Sequence, residues 1–306
     1  MVKLNEENKY KKIVIKYEKF SIWRIFAYFI IYSFLGFIIE TIFSIITTGK
    51  LESRQSFLYG PFCCIYGVGA VIMLVSLQFF KKNNNRLFWG GFLVGSVVEY
   101  FISLIGEVVF HTIWWDYSDM PLNLNGRICF FFSIFWGLLA IYLITYVNPK
   151  IDKLINKLKE KISIKTLKVF TIIAIVLLFL DWIISSIALE LFFVRKVYEF
   201  DLDVYKKDKY LEAYEKIYSN QELTNFIQKF WNDEKMIKTQ PNLKLQLKNG
   251  KILYFTELHP EIQPYLYQFD MTWRDELTNK ITGKKLSQKK IINENNVSIQ
   301  NNIMEE

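Results

Sequence analysis

Five long apolar runs, separated by short polar segments, occupy the first two thirds of the chain. A helix needs about 20 apolar residues to cross the roughly 30 Å hydrocarbon layer of a bilayer, and each run reaches that length. The first run is longer than the apolar part of a signal peptide, so we expect it to remain in the membrane. The pattern predicts an all-α polytopic membrane protein with five transmembrane helices, over residues 21–46, 57–80, 87–110, 128–147 and 169–194.

The pattern changes after the fifth run, where polar residues become frequent. Residues 219–222 fit a helix capping box ahead of an amphipathic stretch, which predicts a helix. An Asn-Gly pair at residues 249–250 separates two stretches of alternating apolar residues, which predicts a β-hairpin. We therefore expect a small soluble α+β tail over residues 195–283 and a disordered end over residues 284–306. Residues 1–20 form a basic amphipathic segment, suited either to the membrane surface or to anchoring the topology.

Composition agrees with a membrane protein, since 52% of the 306 residues are hydrophobic and the mean hydropathy is +0.15. The net charge of +8 has a topological pattern. Seventeen Lys and Arg residues lie before or at the start of the first run or in the second and fourth connections, whereas the first and third connections hold three. The positive-inside rule then predicts a multi-pass plasma-membrane protein with a cytoplasmic N-terminus and an extracytoplasmic tail. Its expected partner is the lipid bilayer and not nucleic acid.

Besides Glu190, which is close enough to a helix end to reach the interface, four acidic side chains fall within the predicted helices. A charged side chain at the centre of a spanning helix costs about 2.5 to 3.5 kcal/mol on insertion scales, so each needs a partner or a function. Glu99 and Asp181 share helical stripes with serines, which predicts that both face the bundle interior. Glu40 and Glu107 lie in the outer halves of the first and third helices. All four are candidates for an ion or substrate pathway.

Small residues predict close helix packing. Gly91 and Gly95 form a GxxxG pattern on the third helix, and Gly67 lies on the second. Packing explains these glycines better than a ligand site does.

The outer loops add the remaining candidate residues. Arg54 and Arg127 are cations there, and Asp116 follows Trp115 directly. If these residues meet Glu40 and Glu107, they form a polar cluster roofed by tryptophan, suited to a polar head group or a small charged solute. The alternative is an aromatic belt with structural ion pairs at the helix ends.

Cysteine and histidine residues near the outer helix ends raise the question of a metal site. Cys63, Cys129 and His111 have side chains that zinc prefers. Buried free thiols and a disulfide between Cys63 and Cys129 are competing explanations. We predict no metal and no cofactor.

An ordered series of motifs resembles the bacterial family of putative ABC-transporter type IV permeases over residues 30–191. The motifs are SFLGFIIET (33–41), FLYGPFCCIYG (57–67), WWDYS (114–118), NGRIC (125–129), FWG (135–137), and Asp181 with Ser185. The resemblance implies a five-helix integral membrane protein, a role in transport and a separate ATPase subunit as partner. No GxxxxGK[ST] motif occurs, so we do not expect this chain to hydrolyse ATP through a P-loop.

Three functions remain open. The first is a transport permease or transport-associated membrane subunit. The second is a membrane-embedded enzyme acting on a lipid or lipid-linked substrate, with acidic residues as acid/base groups and the outer arginines binding phosphate. The third is a scaffold or sensor whose tail binds another protein. The sequence offers no nucleophile-base pair, so an enzyme is the less favoured reading.

Overall fold

The computed structural model describes residues 21–110, 113–274 and 277, and 69% of the described residues are helical. The expectations for residues 1–20, His111 and residues 284–306 lie outside this part of the chain. The membrane part contains α1 (Ile22–Thr48), α2 (Cys64–Leu77), α3 (Asn84–Phe110), α4 (Phe130–Tyr142), α5 (Asn148–Lys161) and α6 (Ile164–Glu199).

Four helices in the described ranges are long and apolar enough to cross a membrane: α1, α3, the α4–α5 unit and α6. The predicted second span differs, because residues 57–63 are not helical and the apolar helix covers only Cys64–Phe80. The predicted fourth span continues through a π-helical turn at Leu143–Val147 into α5. Most of the expected cytoplasmic loop after it is therefore helical. A proline in the first turn of α5 is compatible with this, because that turn needs no donor from it.

Close approach of the backbones holds the helices in pairs. A Cβ atom on Gly67 of α2 would lie 2.7 Å from the Phe29 carbonyl oxygen of α1. On α3, a Cβ on Gly91 would lie 2.9 Å from the Trp136 carbonyl oxygen of α4, and one on Gly95 would lie 2.5 Å from the Trp136 Cβ. Only glycine allows these contacts.

The two ends of the bundle differ in structure. At one end, β1 (Lys50–Glu52) follows α1, and β2 (Asn123–Leu124) pairs with β3 (Ile128–Cys129) in the loop before α4. The tail lies at this same end, which we call the tail end. At the opposite end, Arg24 pairs with Asp152 over 2.9 Å. This pair fastens the start of α1 to α5.

The tail is built around the last turns of α6. It contains α7 (Lys207–Tyr218), α8 (Gln221–Phe230), α9 (Asp233–Thr239), β4 (Lys244–Gln246), β5 (Ile252–Tyr254), α10 (Phe255–Leu258) and β6 (Tyr265–Gln268). Phe192 and Phe193 of α6 are buried against Phe255 of α10. Packing of the tail on α6 begins at Ala188. The hydrophobic core of the tail therefore includes the last turns of α6.

The hairpin and the helix predicted in the tail are both present, and the helix cap lies one residue later than predicted. Strands β4 and β5 form an antiparallel hairpin whose turn contains Gly250 at a φ of 82°. The cap of α8 is Asn220 and not Ser219, because the Asn220 side chain accepts the hydrogen bond from the Leu223 backbone. Strand β6 returns to pair with β1 at the end of α1.

Candidate functional site

A non-helical segment, residues 53–63, enters the helix bundle from the tail end, and we call it the inserted segment. Its last residue, Cys63, donates its backbone N–H to the carbonyl of Ser33 over 2.8 Å. Ser33 lies 15 residues before the end of α1, which corresponds to about 22 Å along the helix axis. Helix α2 therefore begins deep inside the bundle and runs from there to the opposite end.

Side chains of α6 hold the inserted segment in place. The backbone N–H of Leu58 donates to Ser185 Oγ over 2.8 Å, and that of Tyr59 donates to Asp181 Oδ1 over 3.2 Å. Ser185 Oγ donates in turn to Asp181 Oδ1 over 3.0 Å. Non-helical backbone is tolerated at membrane depth only where protein or a water-filled cavity satisfies it. Asp181, which is 7% exposed, supplies part of that satisfaction.

Glu99 of α3 is 4% exposed and accepts hydrogen bonds from two neutral donors. The Tyr117 hydroxyl donates to Oε1 over 2.9 Å, and the Trp136 indole N–H donates to Oε2 over 2.8 Å. Tyr117 comes from the loop after α3 and stacks on Phe132 of α4. Burial, followed by the negative charge of Glu99, raises the pKa of the Tyr117 phenol above its usual value. The hydroxyl therefore stays protonated and keeps donating.

Glu40 of α1 is half-buried and is linked to Glu99 through two aromatic side chains. The Tyr66 hydroxyl donates to Glu40 Oε1 over 2.6 Å, and the Tyr66 ring lies 6.1 Å from the Trp136 ring that contacts Glu99. We call Glu40, Tyr66, Glu99, Tyr117 and Trp136 the carboxylate cluster. Neither carboxylate of the cluster forms an ion pair with any Lys or Arg that the structure describes. A buried carboxylate without a cation is expected to bind a proton or another cation.

Arg127 and Glu107 form an ion pair at the tail end. The Arg127 guanidinium also lies 5.6 Å from the ring centre of Tyr100. Trp115 joins them through its indole N–H, which donates to the Arg127 carbonyl over 2.9 Å. These residues lock the end of α3 to the loop before α4.

The other charged residues expected in an outer cluster have different partners. Arg54 pairs with Glu52 over 2.6 Å. Asp116 accepts two hydrogen bonds from Ser118, from the backbone N–H over 2.9 Å and from the hydroxyl over 2.6 Å. Glu40 belongs to the carboxylate cluster. Hydrogen bonds and ion pairs therefore do not join the five expected charges into one network among the described residues.

The two cysteines considered as zinc ligands are free thiols. Cys63 and Cys129 are both buried, and the structure forms no bond between them. His111, the third candidate zinc ligand, lies outside the described residues. The cysteine contacts therefore do not assemble a zinc site in the described chain.

One group of side chains in the described ranges has the spacing of a metal site: Glu199, Asp233 and His259, whose ligand atoms lie within 4.8 Å of one another. The ammonium of Lys196 already contacts all three, at 2.7 Å from Asp233 Oδ2 and 2.9 Å from His259 Nε2. Because an ammonium has no lone pair, His259 Nε2 must accept, and its Nδ1–H faces Glu261 over 2.8 Å. The Lys196 ammonium thus occupies the position that a metal ion would take.

This arrangement also sets the charge state of Asp233. Burial raises the pKa of Asp233, but the hydrogen bond from Lys196 and the charge of Arg195 outweigh it and lower the pKa below the usual range. Arg195 donates to Asp233 Oδ1 over 3.0 Å through Nε. The group is a structural ion network that joins α6 to α9.

Two hollows lie beside the inserted segment and the contact between α3 and α4. A polar cleft of about 680 Å³ separates the inserted segment from the tail, and Lys235 of α9 lies there 5.4 Å from the Tyr59 ring. A second, mostly apolar groove of about 400 Å³ runs between α3 and α4 and is lined in part by Ser96, Tyr100 and Ser133. The cleft connects the inserted segment with solvent, whereas the groove faces the lipid side of the helices.

Sequence reasoning identified Glu40 and Glu99 but missed their aromatic donors. Tyr66, Tyr117 and Trp136 lie in the motifs FLYGPFCCIYG, WWDYS and FWG, which carry the family resemblance. That resemblance was the one sequence signal that included them. No spacing rule links three aromatic residues on three different elements to a carboxylate. Only the folded bundle reveals that they converge.

The model of a family described as putative ABC-transporter type IV matches residues 27–186, more than half of the chain. No curated protein and no solved structure matches the chain. The match and the four long apolar helices together identify a multi-pass membrane protein.

Proposed function

The chain belongs to the putative ABC-transporter type IV family, and we propose that it is a proton-coupled membrane transport protein. In this proposal Glu40 and Glu99 bind and release a proton while a polar solute reaches the inserted segment through the cleft. The observation that carries the proposal is the carboxylate cluster, where Glu40 and Glu99 accept hydrogen bonds only from neutral donors in the described residues. The family also suggests other transporter components as partners, and a separate ATPase subunit is the alternative driving force.

A proton suits this cluster better than a metal ion. Calcium takes 6 to 8 oxygen ligands and magnesium requires near-ideal octahedral geometry. The described contacts of Glu40 and Glu99 are three N–H and O–H donors, which present hydrogen to the carboxylates. A proton needs only one carboxylate oxygen, so Glu40 and Glu99 can each hold one without further ligands.

The interrupted second span supports a transport site at this depth. In many transporters, helices that break inside the membrane form the binding site from helix ends and unwound backbone. Here α2 begins beside Ser33, and the inserted segment precedes it. Asp181 adds a polar atom to this region, because its Oδ2 is buried and has no hydrogen-bond partner in the described residues.

Proton flux in proteoliposomes tests the proposal. Vesicles containing the protein and the dye pyranine are given a potassium diffusion potential with valinomycin, and internal pH is recorded after a mixture of polar solutes is added outside. We expect faster acidification with the wild type than with Glu40→Gln or Glu99→Gln. The control is Glu190→Gln, which alters an exposed carboxylate on α6 and should match the wild type. Equal rates in all variants and in empty vesicles would contradict the proposal.

The groove between α3 and α4 favours one second candidate, an enzyme acting on a lipid-linked substrate. The groove is apolar enough for an acyl chain, and Arg127 lies over Tyr100 at its edge, where a phosphate would pair bidentately. Arg127→Lys would then weaken binding of a phospholipid probe without changing the melting temperature. Arg127 is paired with Glu107, and no nucleophile lies beside it among the described contacts, so we favour transport.

A further inference from the structure

The end of the tail, residues 265–274, is fastened to the end of α1. Strand β6 pairs with β1, and the Phe269 backbone N–H donates to the Gly49 carbonyl over 2.7 Å. Arg274 continues the attachment by donating to the carbonyls of Ile46 and Thr47 over 3.1 Å and 2.7 Å. These carbonyls belong to the last turn of α1 and have no partner within the helix. The segment is thus held where α1 leaves the hydrocarbon layer.

Large apolar and aromatic side chains of this segment are exposed. Leu266 is 84% exposed, Tyr267 58% and Trp273 59%. Beside them on α1, Phe43 and Ile46 are more than half exposed on the surface that faces lipid. The exposed surface of the segment therefore continues the lipid-facing surface of the bundle.

We propose that residues 265–274 form an interfacial anchor, which inserts into the boundary between lipid head groups and acyl chains and ties the tail to the bilayer. Tyr and Trp concentrate at that boundary because their rings are apolar and their polar atoms reach water. Lys50 and Arg274 flank the aromatic residues, and the Lys50 ammonium lies 5.0 Å from the Tyr265 ring. Cations at this level favour anionic lipid head groups.

The bilayer fits this surface better than a second copy of the chain does. The segment runs from the level of Glu52, just beyond α1, back to the last turn of α1 at Ile46, so a membrane around that turn also touches it. The anchor attaches the tail to the end of α1, and the hydrophobic core attaches it to the last turns of α6. With two attachments, the cleft between the tail and the inserted segment keeps its width.

Spin labels can measure the depth of the segment. A nitroxide is attached to Leu266→Cys in a variant whose native cysteines are replaced, and the protein is reconstituted into vesicles of phosphatidylethanolamine and phosphatidylglycerol. The control is Tyr205→Cys, since Tyr205 is 81% exposed and lies in the turn between α6 and α7. We expect the ratio of oxygen collisions to nickel-chelate collisions to be several-fold higher at position 266 than at position 205.

Two results would overturn the anchor. The first is an equal collision ratio at both positions, which would place Leu266 in water. The second is spin–spin broadening at position 266 that disappears on dilution with unlabelled protein, which would place a second copy there. A native-sequence measurement complements the labels: brominated lipid should quench the wild type more than Trp273→Phe, and equal quenching would contradict the proposal.

Discussion

Gly67 and Gly69 lie two residues apart on α2 and offer a matched test of its contact with α1. A Cβ at Gly67 would lie 2.1 Å from Ser33 Oγ and 2.7 Å from the Phe29 carbonyl oxygen. A Cβ at Gly69 would have its nearest neighbour, Trp136 Cζ3, at 3.9 Å, which is ordinary van der Waals contact. Gly67→Ala must therefore push α1 and α2 apart, whereas Gly69→Ala fits without movement.

The expected free-energy difference follows from two terms. Both substitutions gain about 0.8 to 1.0 kcal/mol from the higher helix propensity of alanine, and this gain cancels between them. Overpacking a close contact costs about 1 to 3 kcal/mol, and only Gly67→Ala meets that cost. Since about 1 kcal/mol shifts the melting temperature of a chain of 150 to 250 residues by roughly 2 to 4 °C, Gly67→Ala should melt several degrees below Gly69→Ala.

Buried thiols provide the assay. Cys63 and Cys129 are free and buried, so a thiol-reactive fluorescent dye reports unfolding in detergent as the temperature rises. We expect the order Gly67→Ala, wild type, Gly69→Ala from lowest to highest melting temperature. Equal melting temperatures for the two variants, or a more stable Gly67→Ala, would refute the close contact between α1 and α2.

Three further predictions concern the tail and the topology. Asp233→Asn should lower the free energy of unfolding by about 3 kcal/mol, because it leaves the fully buried ammonium of Lys196 without this partner. This value is the lower end of the range for a buried ion pair, since the Asp233 side chain is 26% exposed. The pKa of Asp233 is lowered on folding, so its contribution is present above the ordinary aspartate pKa of about 3.9 and is lost as the pH falls through the folded value; thermal melts at falling pH check both. Asn220→Ala should cost about 1 kcal/mol through loss of the α8 cap, whereas Ser219→Ala should be near neutral in the same melts. An impermeant thiol reagent should label Ser118→Cys in intact cells, whereas labelling of a cysteine in α5 instead would reverse the predicted orientation.

Sequence periodicity predicted the long helices well because apolar length alone determines them. It failed at residues 57–63, which are as apolar as a helix but not helical. Hydropathy reports the polarity of side chains and does not distinguish a helix from irregular backbone with the same side chains. The difference lies in Asp181 and Ser185 of α6, which satisfy the backbone of the inserted segment from more than 120 residues away in sequence.

The candidate site was predictable only in part. Helical stripes on single helices selected Glu99 and Asp181 correctly as buried groups. Arg54 pairs with Glu52, two residues away in sequence, a local contact that the cluster hypothesis did not consider. Contacts between different elements depend on the relative depth of the helices, and one sequence does not contain that information.

The proton at the carboxylate cluster can be observed directly by infrared difference spectroscopy. The reconstituted wild type is shifted between high and low pH, and the carbonyl stretch of protonated carboxyl groups is recorded, with Glu190→Gln as control. We expect a band that persists in the control and shifts in Trp136→Phe, where Glu99 loses its indole donor. The band should be lost or halved in Glu40→Gln and Glu99→Gln. A wild-type spectrum unchanged by both glutamine substitutions would show that Glu40 and Glu99 exchange no proton and would contradict the proposed function.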